Sequence, residues 1–174
     1  MPAAEARGAG SSRRDPKALL ALAAVLLVAR IALGVYEQHR PQAADAVQWH
    51  PISGAEADAR PGRPILYDFS AEWCGPCVVM QREVFADPRR AATISRLFVP
   101  VRVVDRRREE GRNPPEVAAL QERHGISAFP TLVVVSADGR QRESIAGYPG
   151  ATQLMARLLR ARQAVLTREP SPSP

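Results

Sequence analysis

Lysine is nearly absent from this 174-residue sequence: Lys17 is the only one, and all other fixed positive charge is arginine. The 24 basic and 18 acidic side chains leave a formal net charge of +6. A surplus of that size would suit a polyanion if it were gathered with aromatic rings. Here aromatics make up only 5% of the chain and the arginines are scattered among glutamates, which argues for a solvated surface and against a nucleic-acid partner. The densest run, Arg106-Arg107-Arg108-Glu109-Glu110, mixes both signs and reads as an exposed loop or helix end. Cysteine is scarce too. Two residues cannot build the multiple bridges of a disulfide scaffold. The three histidines, His39, His50 and His124, stand at no ligand-like spacing from the cysteine pair, so a metal centre lacks two further soft ligands. No metal and no other cofactor is expected. No internal repeat is present.

What remains is ordinary globular material. Apolar residues make up 45%, enough for a core, and the length suits one domain of about 100–150 residues with appendages. Residues 1–17 form a basic, Ala/Gly/Ser-rich N-terminus expected to be disordered. Residues 18–36 carry the uninterrupted apolar run Ala18 to Ala29, then Arg30, then Ile31 to Tyr36. The run suits a signal-peptide core, with Ala32-Leu33-Gly34 as a small-x-small cleavage site. Taken through Arg30, the segment is just long enough to span a bilayer as an anchor, with Arg30 snorkelling to the outer side. Arg13, Arg14 and Lys17 precede it and would hold the N-terminus in the cytoplasm. Anchor and cleaved signal alike would export the rest of the chain, a buried helix of a soluble protein being the alternative. A linker is expected over 37–46, a folded domain over 47–166 and a disordered Pro/Ser tail over 167–174.

Within the domain, Ser53-Gly-Ala-Glu56 has the pattern of a capping box opening a short helix. Pro64 to Ser70 reads as a buried strand, Pro76 to Phe85 as a helix, and Pro88 to Leu97 as another that starts after Asp87. Val99 to Asp105 reads as a strand and Pro115 to His124 as a helix. Thr131 to Ser136, a turn at Asp138-Gly139, and Glu143 to Ala146 form a β-hairpin. A last helix over Ala151 to Leu166 would place Leu154, Met155, Leu158 and Leu159 on one face. The order β-α-(α)-β-α-β-β-α predicts an α/β layered fold with helices on both faces of a sheet.

The chemistry sits in Trp73-Cys74-Gly75-Pro76-Cys77. Cys74 falls where a strand gives way to a helix, so its thiolate would face unpaired N–H groups and the positive end of the helix dipole. Lowering a cysteine pKa from about 8.5 to about 7 takes about 2 kcal/mol, which that environment can supply. Cys74 is the expected nucleophile. Cys77, one turn later and more buried, is the expected resolving thiol. Gly75 would allow a tight turn, and Pro76 suits the first helical turn. A purely structural disulfide or half of a metal site are the competing readings of the same pair.

Tyr67-Asp-Phe-Ser-Ala-Glu-Trp-Cys-Gly-Pro-Cys77 closely resembles the active-site segment of thioredoxins. Gly125-Ile-Ser-Ala-Phe-Pro-Thr131 is similar to the stretch that carries the thioredoxin cis-proline, and Gly147-Tyr148 to the turn before its last helix. The longer pattern from Met80 to Gly147, with Glu83-Val-Phe-Ala-Asp-Pro88 and extra residues after Asp105, resembles the C-terminal domain of the DsbD thiol:disulfide interchange proteins. The resemblance implies a thioredoxin fold, a central mixed sheet flanked by helices on both faces, and thiol–disulfide exchange with protein substrates.

It also implies roles. Pro130 would be the cis-proline facing the cysteines, beside backbone that pairs with a substrate strand; an ordinary trans turn is the alternative. Asp68 would be a buried carboxylate beneath Cys77 that accepts and returns its proton, the alternative being a solvent-facing strand residue. Trp73, Gly75 and Pro76 would rim the substrate site and Phe129 would shape its groove, with plain packing as the alternative for Trp73 and Phe129. The chain departs from the pattern at two places. No lysine is available to pair with Asp68, and Arg102 stands on the neighbouring strand with its face open; Val78 replaces the basic residue that often follows the second cysteine. The implied function is a periplasmic reductant, with cytochrome c maturation as one destination and a membrane electron donor resembling the transmembrane part of DsbD. An oxidant or isomerase, or a copper- or partner-binding module, remains the alternative.

Overall fold

The computed structural model describes residues 16–38 and 44–168. The expectations for residues 1–15, 39–43 and 169–174 lie outside the described residues. The described residues fall into two compact units. The first is a single helix, α1 (Pro16–Gln38). It exposes Leu20, Leu26, Leu27 and Val28 by more than 60% each. Among the described residues no helix is long and apolar enough to cross a membrane.

The second unit is a four-stranded sheet in the order β2-β1-β3-β4. Strand β1 (Ile65–Ala71) pairs in parallel with β2 (Val99–Asp105) and antiparallel with β3 (Thr131–Val135), which pairs antiparallel with β4 (Arg142–Ala146). Because side chains alternate across a strand, β1 feeds two cores. Ile65, Tyr67 and Phe69 join Val99, Val101, Val103, Val117 and Leu120 on one face, under α2 (Ala55–Asp58) and α6 (Pro115–His124). Leu66 joins Met80, Phe85, Ile94, Leu132 and Leu154 on the other, under α3 (Gly75–Met80), α4 (Pro88–Leu97) and α7 (Ala151–Arg168). Asp68 shares this second face by the same alternation. A one-turn helix, α5 (Arg107–Glu110), follows β2 and ends at Gly111, whose φ of 73° suits glycine. This is the mixed-sheet, two-faced thioredoxin architecture expected from the sequence.

Three local expectations are corrected. No capping box forms: Pro51 starts a 3-10 turn over Ile52–Gly54, so Ser53 lies inside that turn and neither it nor Glu56 caps a helix. The helix expected over Pro76 to Phe85 is α only to Met80 and closes with a π turn over Gln81–Phe85, Ala86 N–H reaching Gln81 O at 2.9 Å. Met80, Val84 and Phe85 are all buried, a spacing that either helical form satisfies. On α7 the buried stripe is Leu154, Leu158, Ala161 and Val165; Met155 packs at its border and Leu159 is 46% exposed.

Candidate active site

The β1–α3 junction presents the two cysteines as a disulfide, Sγ to Sγ 2.09 Å. Cys74 is the N-cap of α3: its backbone is extended and its sulfur accepts the N–H of Cys77 at 3.3 Å. Its carbonyl takes the N–H of Val78 at 3.2 Å. Pro76, in the first turn, gives up an N–H that has no helical partner there. The expectation that Cys77 is the more buried of the two is corrected, since residue Cys74 is 3% and Cys77 6% exposed; the placement of Cys74 at the helix start is what separates them. The expectation that Gly75 serves a tight turn is corrected. Its φ is not in the left-handed region and a Cβ there would meet nothing within 4 Å, so no turn demands glycine. Gly75 and Pro76 instead lie exposed on the outer side of the disulfide.

The Phe129–Pro130 peptide bond is cis. Phe129 packs against the cluster of Ala71, Cys74 and Cys77, and its ring meets Trp73 edge-on at 5.9 Å. Trp73 is 47% exposed, so it forms rim and not core. Beside it opens a cleft of about 350 Å³ whose lining includes Arg107, Arg108, Ile126, Ser127 and Phe129. Arg108 lays its guanidinium over the Trp73 ring, 4.4 Å from its centre.

Asp68 is 1% exposed and borders, with Cys77, a cavity of about 150 Å³. One carboxylate oxygen, Oδ1, is buried without a hydrogen-bond partner. The other accepts from Arg102 Nε at 3.3 Å. Burial pushes its pKa up to about 6, against the pull of Arg102. The face of Arg102, open in the sequence, is fixed by the sheet. It stands opposite Asp68 in the β1–β2 register and shares its face, because Val101 and Val103 take the other core. His50 and His124 are not at the disulfide: His50 contacts Asp58 at 2.7 Å, and His124 stacks on Tyr67 and Phe69.

Sequence reasoning missed Asp45, Trp49 and Gln81, all gathered at Arg102. Asp45 and Ala46 fall at the end of the expected linker, yet Ala46 N–H donates to Phe85 O at 2.8 Å. No local pattern marks such contacts; only the pairing of Asp68 with Arg102 could have prompted a search for a second carboxylate.

Residues 55–162 match the profile of the Thioredoxin-like domain family. The chain belongs to that family. A thiol:disulfide interchange protein DsbD of Neisseria meningitidis is 25% identical over 124 residues, covering 70% of this chain and 19% of that protein. The chain thus spans about a fifth of the length of the DsbD proteins it matches. The disulfide bond reductase DsbH of Chlamydia pneumoniae is 25% identical over 66% of this chain and 71% of its own. A thioredoxin of Alicyclobacillus acidocaldarius is 32% identical over 55% of this chain and 79% of its own. Among solved structures, a DsbH oxidoreductase superposes with a TM-score of 0.58 at 22% identity, over 75% of this chain and 91% of that one, a likeness of fold.

Proposed function

We propose that this protein is a thiol–disulfide oxidoreductase that exchanges the Cys74–Cys77 pair with disulfides of protein substrates, working as a reductant in the bacterial periplasm. The observation that carries the reading is the disulfide at the start of α3, with Cys74 as N-cap and Cys77 over the cavity of Asp68. In the reduced protein the Cys74 thiolate attacks a substrate disulfide; a mixed disulfide forms and one substrate thiolate leaves. Cys77 gives its proton to the Asp68 carboxylate and attacks the Cys74 sulfur. The second substrate thiolate leaves and is protonated, and the protein is left oxidised, two electrons poorer. Pro130, Phe129 and the Trp73 rim, with Gly75 and Pro76, receive the substrate chain.

The names of the relatives support the direction, since a disulfide bond reductase is among them. Reduction needs an upstream dithiol, and a membrane donor resembling the transmembrane part of DsbD fits that need; cytochrome c maturation is a fitting destination. Residues 18–36, uninterrupted in apolar character from Ala18 to Ala29, export the domain as an anchor or a cleaved signal, and 37–46 lead into the domain. A periplasm-only reporter fused after Pro174 should be active; a cytoplasmic, inactive fusion would refute export.

The full-length protein should catalyse insulin reduction by dithiothreitol, and Cys74→Ala should abolish it. Equilibration with glutathione should place the pair near the thioredoxin value of about −270 mV, whereas a value near the DsbA figure of about −120 mV would make it an oxidant. Copper held stoichiometrically by a chain that leaves insulin intact would make it a metal module.

A further inference from the structure

Arg102 faces two carboxylates, and it serves the one outside the site better. Its Nη1 binds Asp45 Oδ2, its Nη2 reaches Asp45 Oδ1 at 3.2 Å and Gln81 Oε1 at 2.5 Å, while Asp68 receives only Nε at 3.3 Å. A two-point fork on a carboxylate is the stronger and more oriented arrangement of a guanidinium. Gln81 Nε2 donates to Asp45 Oδ1 at 2.6 Å, and the Trp49 ring lies under the guanidinium, 4.1 Å from its centre. The segment that carries Asp45 is itself fastened: Ala46 N–H to Phe85 O at 2.8 Å, His50 N–H to Pro100 O at 2.8 Å, and Trp49 edge-on to Phe85 at 5.0 Å.

We propose that Asp45 is a positioning residue for the disulfide site: by occupying the fork of Arg102 it limits that cation's hold on Asp68 and keeps the buried carboxyl fit to carry the Cys77 proton. The proposal rests on the exchange function proposed for Cys74 and Cys77. It assigns a task to residues that lie ahead of the matched domain, which begins at residue 55. A guanidinium given wholly to Asp68 would hold it ionised and make it a poor proton acceptor at neutral pH; a missing guanidinium would leave it neutral and unable to accept at all. The charge of Asp45 also acts on Asp68 directly, in the same upward direction. The remaining polar side chains that border the cavity are the Cys77 thiol when reduced, Ser70, Gln81, and Glu72 and Arg106, which pair with each other at 3.2 Å. On β3 the neighbour of Asp68 is Leu132, which carries no charge.

The test uses the full-length protein with carbon-13 at aspartate carboxyls, and reads the titration midpoint of Asp68 beside the pH profile of insulin reduction. Asp45→Asn should move the midpoint and the acid limb of the profile to lower pH, by on the order of one unit. Arg102→Gln should move both to higher pH, and Asp45→Glu should restore the original midpoint. An unmoved midpoint in Asp45→Asn, or the same direction of shift in both variants, would overturn the proposal, and Asp45→Asn keeps the test open if Arg102→Gln fails to fold. Wild-type protein inactive toward insulin would instead overturn the exchange reading, whatever the midpoints do.

Discussion

Asp68, in the middle of β1, and Asp105, at the end of β2, are both buried carboxylates, 1% and 6% exposed. Their surroundings differ sharply. Asp105 Oδ2 accepts from Asn113 Nδ2 at 2.6 Å and Gln121 Nε2 at 2.9 Å, and Oδ1 accepts the N–H of Arg107 at 3.1 Å. Burial alone would push its pKa up, but those hydrogen bonds together outweigh it and hold the carboxyl below the usual range. Asp68 has one long contact to Arg102 and an orphaned oxygen, and burial wins. The saturated carboxylate ties α5 and α6 to the sheet; the starved one sits beside Cys77 and can change its charge near neutral pH. Counting donors separates a carboxylate held ionised from one whose pKa is raised, which burial alone cannot do.

Removing each group should break the pair apart. Asp105→Ala takes the acceptor from the buried Gln121 amide and from the part-buried donors of Asn113 and Arg107, and should cost about 2 kcal/mol in urea unfolding at neutral pH. Because its folded pKa is depressed, that cost should shrink as the pH falls through the folded value. A variant as stable as wild type would show the network to be idle. Asp68→Asn should act in the opposite sense. The folded pKa, about 6 against an ordinary 3.8, is raised, so ionisation at neutral pH opposes folding. Asn at 68 should stabilise the protein at pH 7 by up to about 3 kcal/mol, the gain fading as the pH falls from about 6 towards about 4 and vanishing below that, where the wild-type carboxyl is neutral in both states. Insulin reduction should slow at the same time. A destabilised Asp68→Asn at neutral pH would contradict the contrast.

Smaller effects sharpen it on the substrate side. Trp73→Ala should lower kcat/KM for insulin roughly tenfold, about 1.4 kcal/mol, while the rate with a small aliphatic disulfide holds. Equal losses on both substrates would place Trp73 in the support of the disulfide and not at the rim. Gly75→Ala should change stability by less than about 0.5 kcal/mol, since its backbone angles are ordinary and its Cβ meets open space.

Much of this is legible in the sequence. The bounds of α4, β2 and α6 are those the sequence predicts, because Asp87-Pro88 and Pro115 mark helix starts and the valine-rich run Val99 to Asp105 suits a strand. The cysteine pair is readable from its spacing alone; the cis-proline and the burial of Asp68 come only through the resemblance to thioredoxins, since the residues themselves leave a trans turn and a solvent-facing aspartate open. Ser53 misleads because capping depends on where the preceding turn begins, and Pro51 moves it. Leu159 misleads because a stripe four residues wide exceeds what one face of α7 buries. The face of Arg102 is in fact encoded, through the burial of Val101 and Val103, but only the register with Asp68 makes that usable. Asp45 and Gln81 are out of reach, since their partner lies 57 and 21 residues away along the chain.

The roles of the two sulfurs carry the account, and trapping tests them most directly. Cys77→Ser, expressed in the native host, should stall at the mixed disulfide, because a serine hydroxyl cannot complete the exchange at neutral pH. Its adducts should run large on a non-reducing gel and collapse with reductant, and mass spectrometry would name the partners. Cys74→Ser should trap few or none, for Cys77 lacks the place at the helix start. Equal trapping by both variants, or trapping by Cys74→Ser alone, would contradict the assignment of Cys74 as the attacking thiol.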